Sequence, residues 1–288
     1  MSNAKNGVAH SQEWANSSIS GAGIGLRNTH VDEILLTRPN VPWFEVLADN
    51  HIARGGLIPA QLKAIRQQYP LTFHCVGMSL AGTDPLDMDY LKIIKRMVDE
   101  TEPAWVSDHL CFTRFGQHHS HDLLPIPYTI ETLKHVSERI DQVQNILGQR
   151  VLIENVSSYL EFEQSDLTEA QFLAELLGVT DCQLLLDLNN VYVSAQNHNF
   201  NSLDYLDVLP LEMVQEIHLA GYDDRGDYLL DAHNNKVSEP VWSLYEYVIK
   251  KIPNVATLIE WDNDLPEFSV LLGEAKKAMT LREQRLGE

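Results

Sequence analysis

The chain has 288 residues, 21 of them Lys or Arg and 41 Asp or Glu, for a formal net charge of −20 at pH 7. A field of that sign repels a phosphate backbone and argues against a nucleic-acid partner, while 44% hydrophobic and 22% charged residues belong to a folded globular protein. No stretch approaches the roughly 20 apolar residues of a membrane span, and Cys75, Cys111 and Cys182 form no spaced pair, so a cytoplasmic, reducing location without a membrane partner is expected.

Residues 1–20 read as a polar N-terminal tail without the apolar core of a secretory signal. From Gly21 onward, apolar runs alternate with helical periods, and residues 21–288 form one expected domain. The first run, GAGIGLR at 21–27, is an incomplete dinucleotide fingerprint and reads better as a strand with little room for side chains. WFEVLA at 43–48 and LTFHCV at 71–76 follow. Asp87 then caps a helix whose buried stripe is Leu91, Ile94 and Met97. AWVSDHL at 104–110 leads into a long connection, 111–128, whose His118, His119 and His121 are expected on a solvated loop face, His121 being the candidate to reach a pocket. Cys111, two residues past His109, has no flanking base that would mark it as a nucleophile.

A helix with Ile130, Leu133, Val136, Ile140, Val143 and Ile146 inward would leave Lys134, Glu138, Arg139 and Gln142 wet. RVLIENV at 150–156 precedes a helix opened by a Thr168/Gln171 capping box and stopped at Gly178. CQLLLDL at 182–188, VQEIHLA at 214–220 with a second long connection at 221–238, and ATLIEW at 256–261 complete the series. Eight near-continuous apolar strands imply a parallel sheet covered on both faces. With helices between them over this length, the α/β reading is a single TIM (β/α)₈ barrel rather than an open doubly wound sheet.

Glu45, His74, His109, Glu154, Asp187, His218 and Glu260 stand near the ends of strands two through eight, spaced 29 to 45 residues apart. A barrel brings such positions to one rim, where its catalytic groups lie. Asn189 and Asn190 extend the sixth strand end, Asn155 follows Glu154, and His233 lies in the loop after the seventh. Four clustered carboxylates need a counter-ion. Mixed imidazole and carboxylate donors suit Fe, Mn, Zn or Co better than Mg or Ca. Two or three ions are expected, with Glu154 as a bridge. Taken singly, Glu154 or Asp187 could equally be a helix N-cap.

The motifs SDHLCF (107–112), DLLPIPYT (122–129), ENVSSY (154–159), LLLDLNNVYV (184–193), EIHLAGY (216–222) and IEWDND (259–264) resemble those of the multinuclear non-heme iron-dependent oxidative enzymes, a family that includes the iron oxidase of methanobactin biosynthesis. The resemblance runs from about Gly21 to about Leu272. It implies a xylose-isomerase-like barrel with two or three irons, mixed-valence Fe(II)/Fe(III), and O₂ as co-substrate. His74, His109 and Glu154 would ligate one iron. Asp187, Asn189, His218, His233 and Glu260 would complete the other sites, with Glu154, Asp187 and His109 carrying catalysis. Glu45, His51, Asp108, Asn155, Asn190 and His121 fall to supporting or substrate-contact roles.

The implied reaction oxidises a residue, most often cysteine, of a ribosomally synthesised precursor peptide, assisted by a small partner protein that recognises the leader. The alternatives are a divalent-metal sugar isomerase or epimerase on the same barrel, a metal-dependent endonuclease-like hydrolase opposed by the charge, and a non-enzymatic metal-binding scaffold.

Overall fold

The computed structural model describes residues 19–287 apart from 53, 54 and 117, and the side chain of His121 also falls outside the described residues. Eight strands, β1 (Ala22–Leu26), β2 (Phe44–Leu47), β3 (Leu71–His74), β4 (Val106–His109), β5 (Val151–Glu154), β6 (Gln183–Asp187), β7 (Val214–Leu219) and β8 (Ala256–Ile259), close into a barrel in sequence order. Every pairing is parallel, β8 returning to β1.

Side-chain alternation sorts each strand into two faces. Phe44, Phe73, Val106, Ile153, Leu184 and Ile217 turn outward into the main core under the helices. Trp43, Trp105, Leu152, Leu185, Ala256 and Leu258 turn inward and fill the bottom of the barrel with Ile19. Of the expected tail, residues 1–18 lie outside the described residues, whereas Ile19 is 9% exposed and packed. Gly23 shows why β1 is glycine-rich: a Cβ there would sit 2.4 Å from the Trp43 indole.

The helices follow their caps. α1 (Val31–Thr37) and α2 (Leu57–Arg66) precede α3 (Met88–Thr101), which Asp87 opens by accepting from the Asp89 and Tyr90 amides. α4 (Ile130–Leu147) buries Leu133, Val136, Ile140 and Val143, but two expectations fail on it. Ile130 is 58% exposed at the helix start, and Arg139 is buried. Arg139 shares the stripe with Val136 and Val143, and it is satisfied by the carbonyls of Leu80, Asp84 and Ser79 at 2.7, 2.7 and 3.0 Å.

α5 (Glu169–Val179) carries the Thr168/Gln171 capping box but runs through Gly178, ending where the Thr180 amide donates to Leu176. α6 (Leu188–His198), α7 (Ser202–Val208), α8 (Glu239–Ile249) and α9 (Phe268–Leu286) complete the shell. Each long connection holds an antiparallel hairpin, Phe112–Phe115 with His118–Leu124 and Asp223–Asp224 with Leu229–Leu230. No described helix is long and apolar enough to cross a membrane.

Candidate metal centre

The last residues of β3, β4 and β5 meet side by side, His109 in register with Glu154 and His74 with Ser107. The Nε2 atoms of His74 and His109 lie 3.4 and 3.2 Å from Glu154 Oε2, with ring centroids 4.6 Å apart. His74 Nδ1 contacts Ser107 Oγ at 2.8 Å, and that hydroxyl donates to the Phe73 carbonyl. The ring proton therefore belongs on Nδ1, which leaves the Nε2 lone pair facing Glu154. Asp108 Oδ1 is 3.8 Å from His109 Nδ1, while its other oxygen accepts from the Met78 amide.

A second group joins at Glu154. Donor atoms of Glu154, Asp187, His218 and Glu260 all lie within 4.8 Å of one another. His218 Nδ1 is 2.9 Å from Glu260 Oε2 and 3.8 Å from Glu154 Oε1. Glu154 thus turns one oxygen to each group. Asp187 is both a helix cap and a rim residue. Its Oδ1 accepts from the Asn190 amide at 2.6 Å, opening α6, while Oδ2 has no hydrogen-bond partner.

Asn155 locks β5 to β6 by exchanging 2.9 Å bonds with the Asp187 backbone, and Asn190 Nδ2 donates to the Asn155 backbone carbonyl at 3.0 Å. These amides position the neighbouring carboxylates.

The third group hangs on loops. His233 Nδ1 lies 3.0 Å from Asp262 Oδ2 and 3.3 Å from Glu260 Oε2, and its Nε2 lies 2.6 Å from Asp231 Oδ1. Asn189 Nδ2 donates to the same Asp231 oxygen at 2.7 Å. His233 has φ +46°, an uncommon left-handed conformation for a non-glycine residue. Its carbonyl accepts from the amides of Asp262 and Asn263, which hold it there. Arg27 pairs with Asp262 and donates to the Trp261 carbonyl at 3.0 Å.

Glu45 is not at a strand end. It is the second residue of β2, level with Gly25 and Thr72, and lies beneath the rim. Its Oε1 sits 3.4 Å from His218 Nε2, beside Glu216 Oε1 at 3.5 Å. Trp105 Nε1 donates to Glu216 Oε2 at 2.6 Å.

Electrostatics follow from this crowding. Burial and the facing Glu216 push Glu45 up to about 8, burial raises Glu154 well above the carboxylate range, and burial takes Asp187 to about 7 against the pull of His233. Burial works against charge on His109, yet Glu154 and Asp108 bring it to about 9. His218 and His233 are likewise raised, against burial, by Glu260 with Glu45 and by Asp231 with Glu260. His74 is held neutral by burial and by the other imidazoles.

The residues fit bound metal. Glu154 Oε2, Asp187 Oδ2 and Asn189 Oδ1 are buried with no hydrogen-bond partner, a costly arrangement unless an ion accepts their lone pairs. A cleft of about 520 Å³ has Glu154, His233 and Glu260 in its wall, and its described lining includes no lysine or arginine.

Other expected residues fall differently. His51 is buried, with Nδ1 3.2 Å from the Leu47 carbonyl, and does not line the cleft. His119 does line it, from the hairpin, while His118 is exposed and does not. Cys111 is buried and outside the lining. His121 remains outside the described side chains. Sequence reasoning missed Asp231, Asp262, Glu216 and Arg27. Asp262 and Glu216 each stand two residues from a singled-out ligand, the spacing that returns to the same side of an extended chain.

Residues 21–283 match the family model described as RiPP precursor modification enzyme MbnB/TglH/ChrH. A UPF0276 protein of Acaryochloris marina is 51% identical over 266 residues, 92% of this chain and 96% of that protein. A UPF0276 protein of Anaeromyxobacter is 45% identical, covering 90% of this chain and 91% of its own. Among solved structures, endonuclease IV from Thermus thermophilus superposes with TM-score 0.61 at 17% identity, over 90% of this chain and 99% of its own. D-psicose 3-epimerase from Clostridium cellulolyticum does so with 0.60 at 11%, over 92% and 99%. Those two likenesses speak to the fold alone, a TIM barrel. The chain belongs to the MbnB/TglH/ChrH family of RiPP precursor modification enzymes.

Proposed function

We propose that this family member is a multinuclear non-heme iron enzyme that uses O₂ to oxidise a residue, cysteine in the first instance, of a ribosomally synthesised precursor peptide. The observation that carries the reading is the convergence of His74 and His109 Nε2 on an unpartnered oxygen of Glu154, whose other oxygen faces a second donor group. His74, His109 and Glu154 would hold one ion. Glu154, Asp187, His218 and Glu260 would hold a second, and His233, Glu260 and Asp262, with Asn189 and Asp231 adjoining, a third. When bound, iron of mixed valence supplies the electrons for O₂ chemistry and an open position that a soft thiolate can occupy.

The protein's own groups do the rest. Ser107 fixes the His74 tautomer, and Glu216, anchored by Trp105, lies with Glu45 against His218 Nε2, which favours a proton there and leaves Nδ1 toward Glu260. Asp231, 14% exposed at the cleft, is placed to accept the proton a substrate thiol gives up. The −20 charge is partly offset once cations occupy the rim. A small leader-recognition protein and a cytoplasmic setting belong to the same proposal.

The test is incubation of anaerobically purified, Fe(II)-loaded protein with a cysteine-bearing precursor peptide and its partner protein. The expected result is a mass change at cysteine that requires O₂. Turnover of a sugar under nitrogen with Mn or Zn would instead establish the isomerase reading.

A further inference from the structure

A second cavity of about 760 Å³ lies on the outer side of the β5 exit, between the segment 158–168, the start of α5, and α6 and α7. Its walls are apolar and open to solvent: Leu160 is 66% exposed, Val208 44%, and Phe162 and Phe200 38% each. Phe200 stacks on Tyr205 at 6.0 Å. Large apolar side chains gathered this way on a soluble protein mark a contact surface rather than chance exposure.

The charge of the lining selects the occupant. Glu161, Glu163 and Asp204 border it, and among the described residues no lysine or arginine does. On the floor, the Glu169 carboxyl group accepts from Tyr205 Oη at 3.0 Å and from the Val156 amide at 3.4 Å, which fixes its position below the apolar walls. An apolar slot with an acidic border complements a chain that carries both apolar and basic side chains.

Position links the cavity to the metal cleft through one strip of backbone. Ser158 is tied to Ser194 Oγ through its amide and to His198 through its carbonyl. The next residue, Tyr159, accepts at its hydroxyl from the amide of Asp231, which lines the metal cleft.

We infer that this groove docks an extended segment of peptide bearing apolar and basic side chains, and thereby holds it beside the metal cleft. Docking stands on the groove alone; that the segment belongs to the substrate rests on the peptide-modifying reading above. The probe is a fluorescein-labelled ten-residue peptide of alternating Leu and Lys, compared by anisotropy at low salt with a Leu and Glu counterpart. The Lys peptide should bind at least tenfold more tightly. The exposed double variant Glu161→Lys/Glu163→Lys, and separately Leu160→Asp, should each weaken it at least tenfold while iron content and circular dichroism stay unchanged. Equal binding of both peptides, or binding undiminished by these variants, overturns the inference. So does sedimentation showing a dimer that Leu160→Asp dissociates, since a second copy would then be the occupant. Iron content and O₂-dependent turnover, measured separately, report on the metal reading and not on the groove.

Discussion

Two parts of the rim supply similar donors by different means. His74, His109 and Glu154 end three adjacent strands, and barrel register alone brings them together. Asp231, His233 and Asp262 sit on connections after β7 and β8, held by side-chain bonds, an arginine and a strained backbone at His233. Strand-borne donors are fixed when the barrel folds; loop-borne donors depend on contacts that can be lost one at a time. A metal on the first set should therefore bind tighter and survive more perturbation than one on the second.

Glu154→Gln gives the largest effect, because this side chain faces two donor groups. Metal content should fall in both, with loss of turnover well beyond the 10–100-fold that losing an outer partner costs, checked by metal analysis and peptide mass spectrometry. His74→Ala and His233→Ala then separate the regions. Removing His74 should cost the most tightly held ion, and removing His233 only the most weakly held, as read by chelator titration. The reverse order would break the comparison. Ser107→Ala leaves every donor in place but frees the His74 ring, and metal affinity should drop roughly 10–100-fold, with His74→Ala as the limit.

The smallest effect lies at Glu169, a half-buried carboxylate outside both groups, which burial pushes up to about 7. Between its ordinary value of 4.5 and about 7 the folded protein holds a proton that the unfolded chain has lost. Stability from this group is therefore greatest in acid and declines as pH rises through 7. Glu169→Gln removes that decline, so its advantage over the parent in thermal unfolding should grow from pH 5 to pH 8, to roughly 1–2 kcal/mol.

The same division governs what could be read in the sequence. The strands were legible because both faces are apolar, and strand-end His and acidic residues interrupt such runs visibly. Glu45 also interrupts one, but a single step of register decides between rim and the layer below, and pairing with Gly25 and Thr72 puts it below. Asp231 and Asp262 lie among other acidic and amide residues in polar loops, where composition gives no contrast. Arg27 closes the first apolar run with no acidic residue in that run to pair with, and only the closure of β8 on β1 brings it to Asp262. Arg139 carries a charge that predicts a wet face although it stands at helical spacing from Val136 and Val143, and nothing local announces the loop carbonyls that satisfy it.

The most direct test of the metal reading is metal analysis of protein purified without O₂, with its absorption and Mössbauer spectra recorded before and after O₂ is admitted. Two or three irons per chain, giving a mixed-valence signal that changes on exposure to O₂, are expected. Protein that carries no iron under those conditions, or that holds zinc or manganese and is indifferent to O₂, would contradict it.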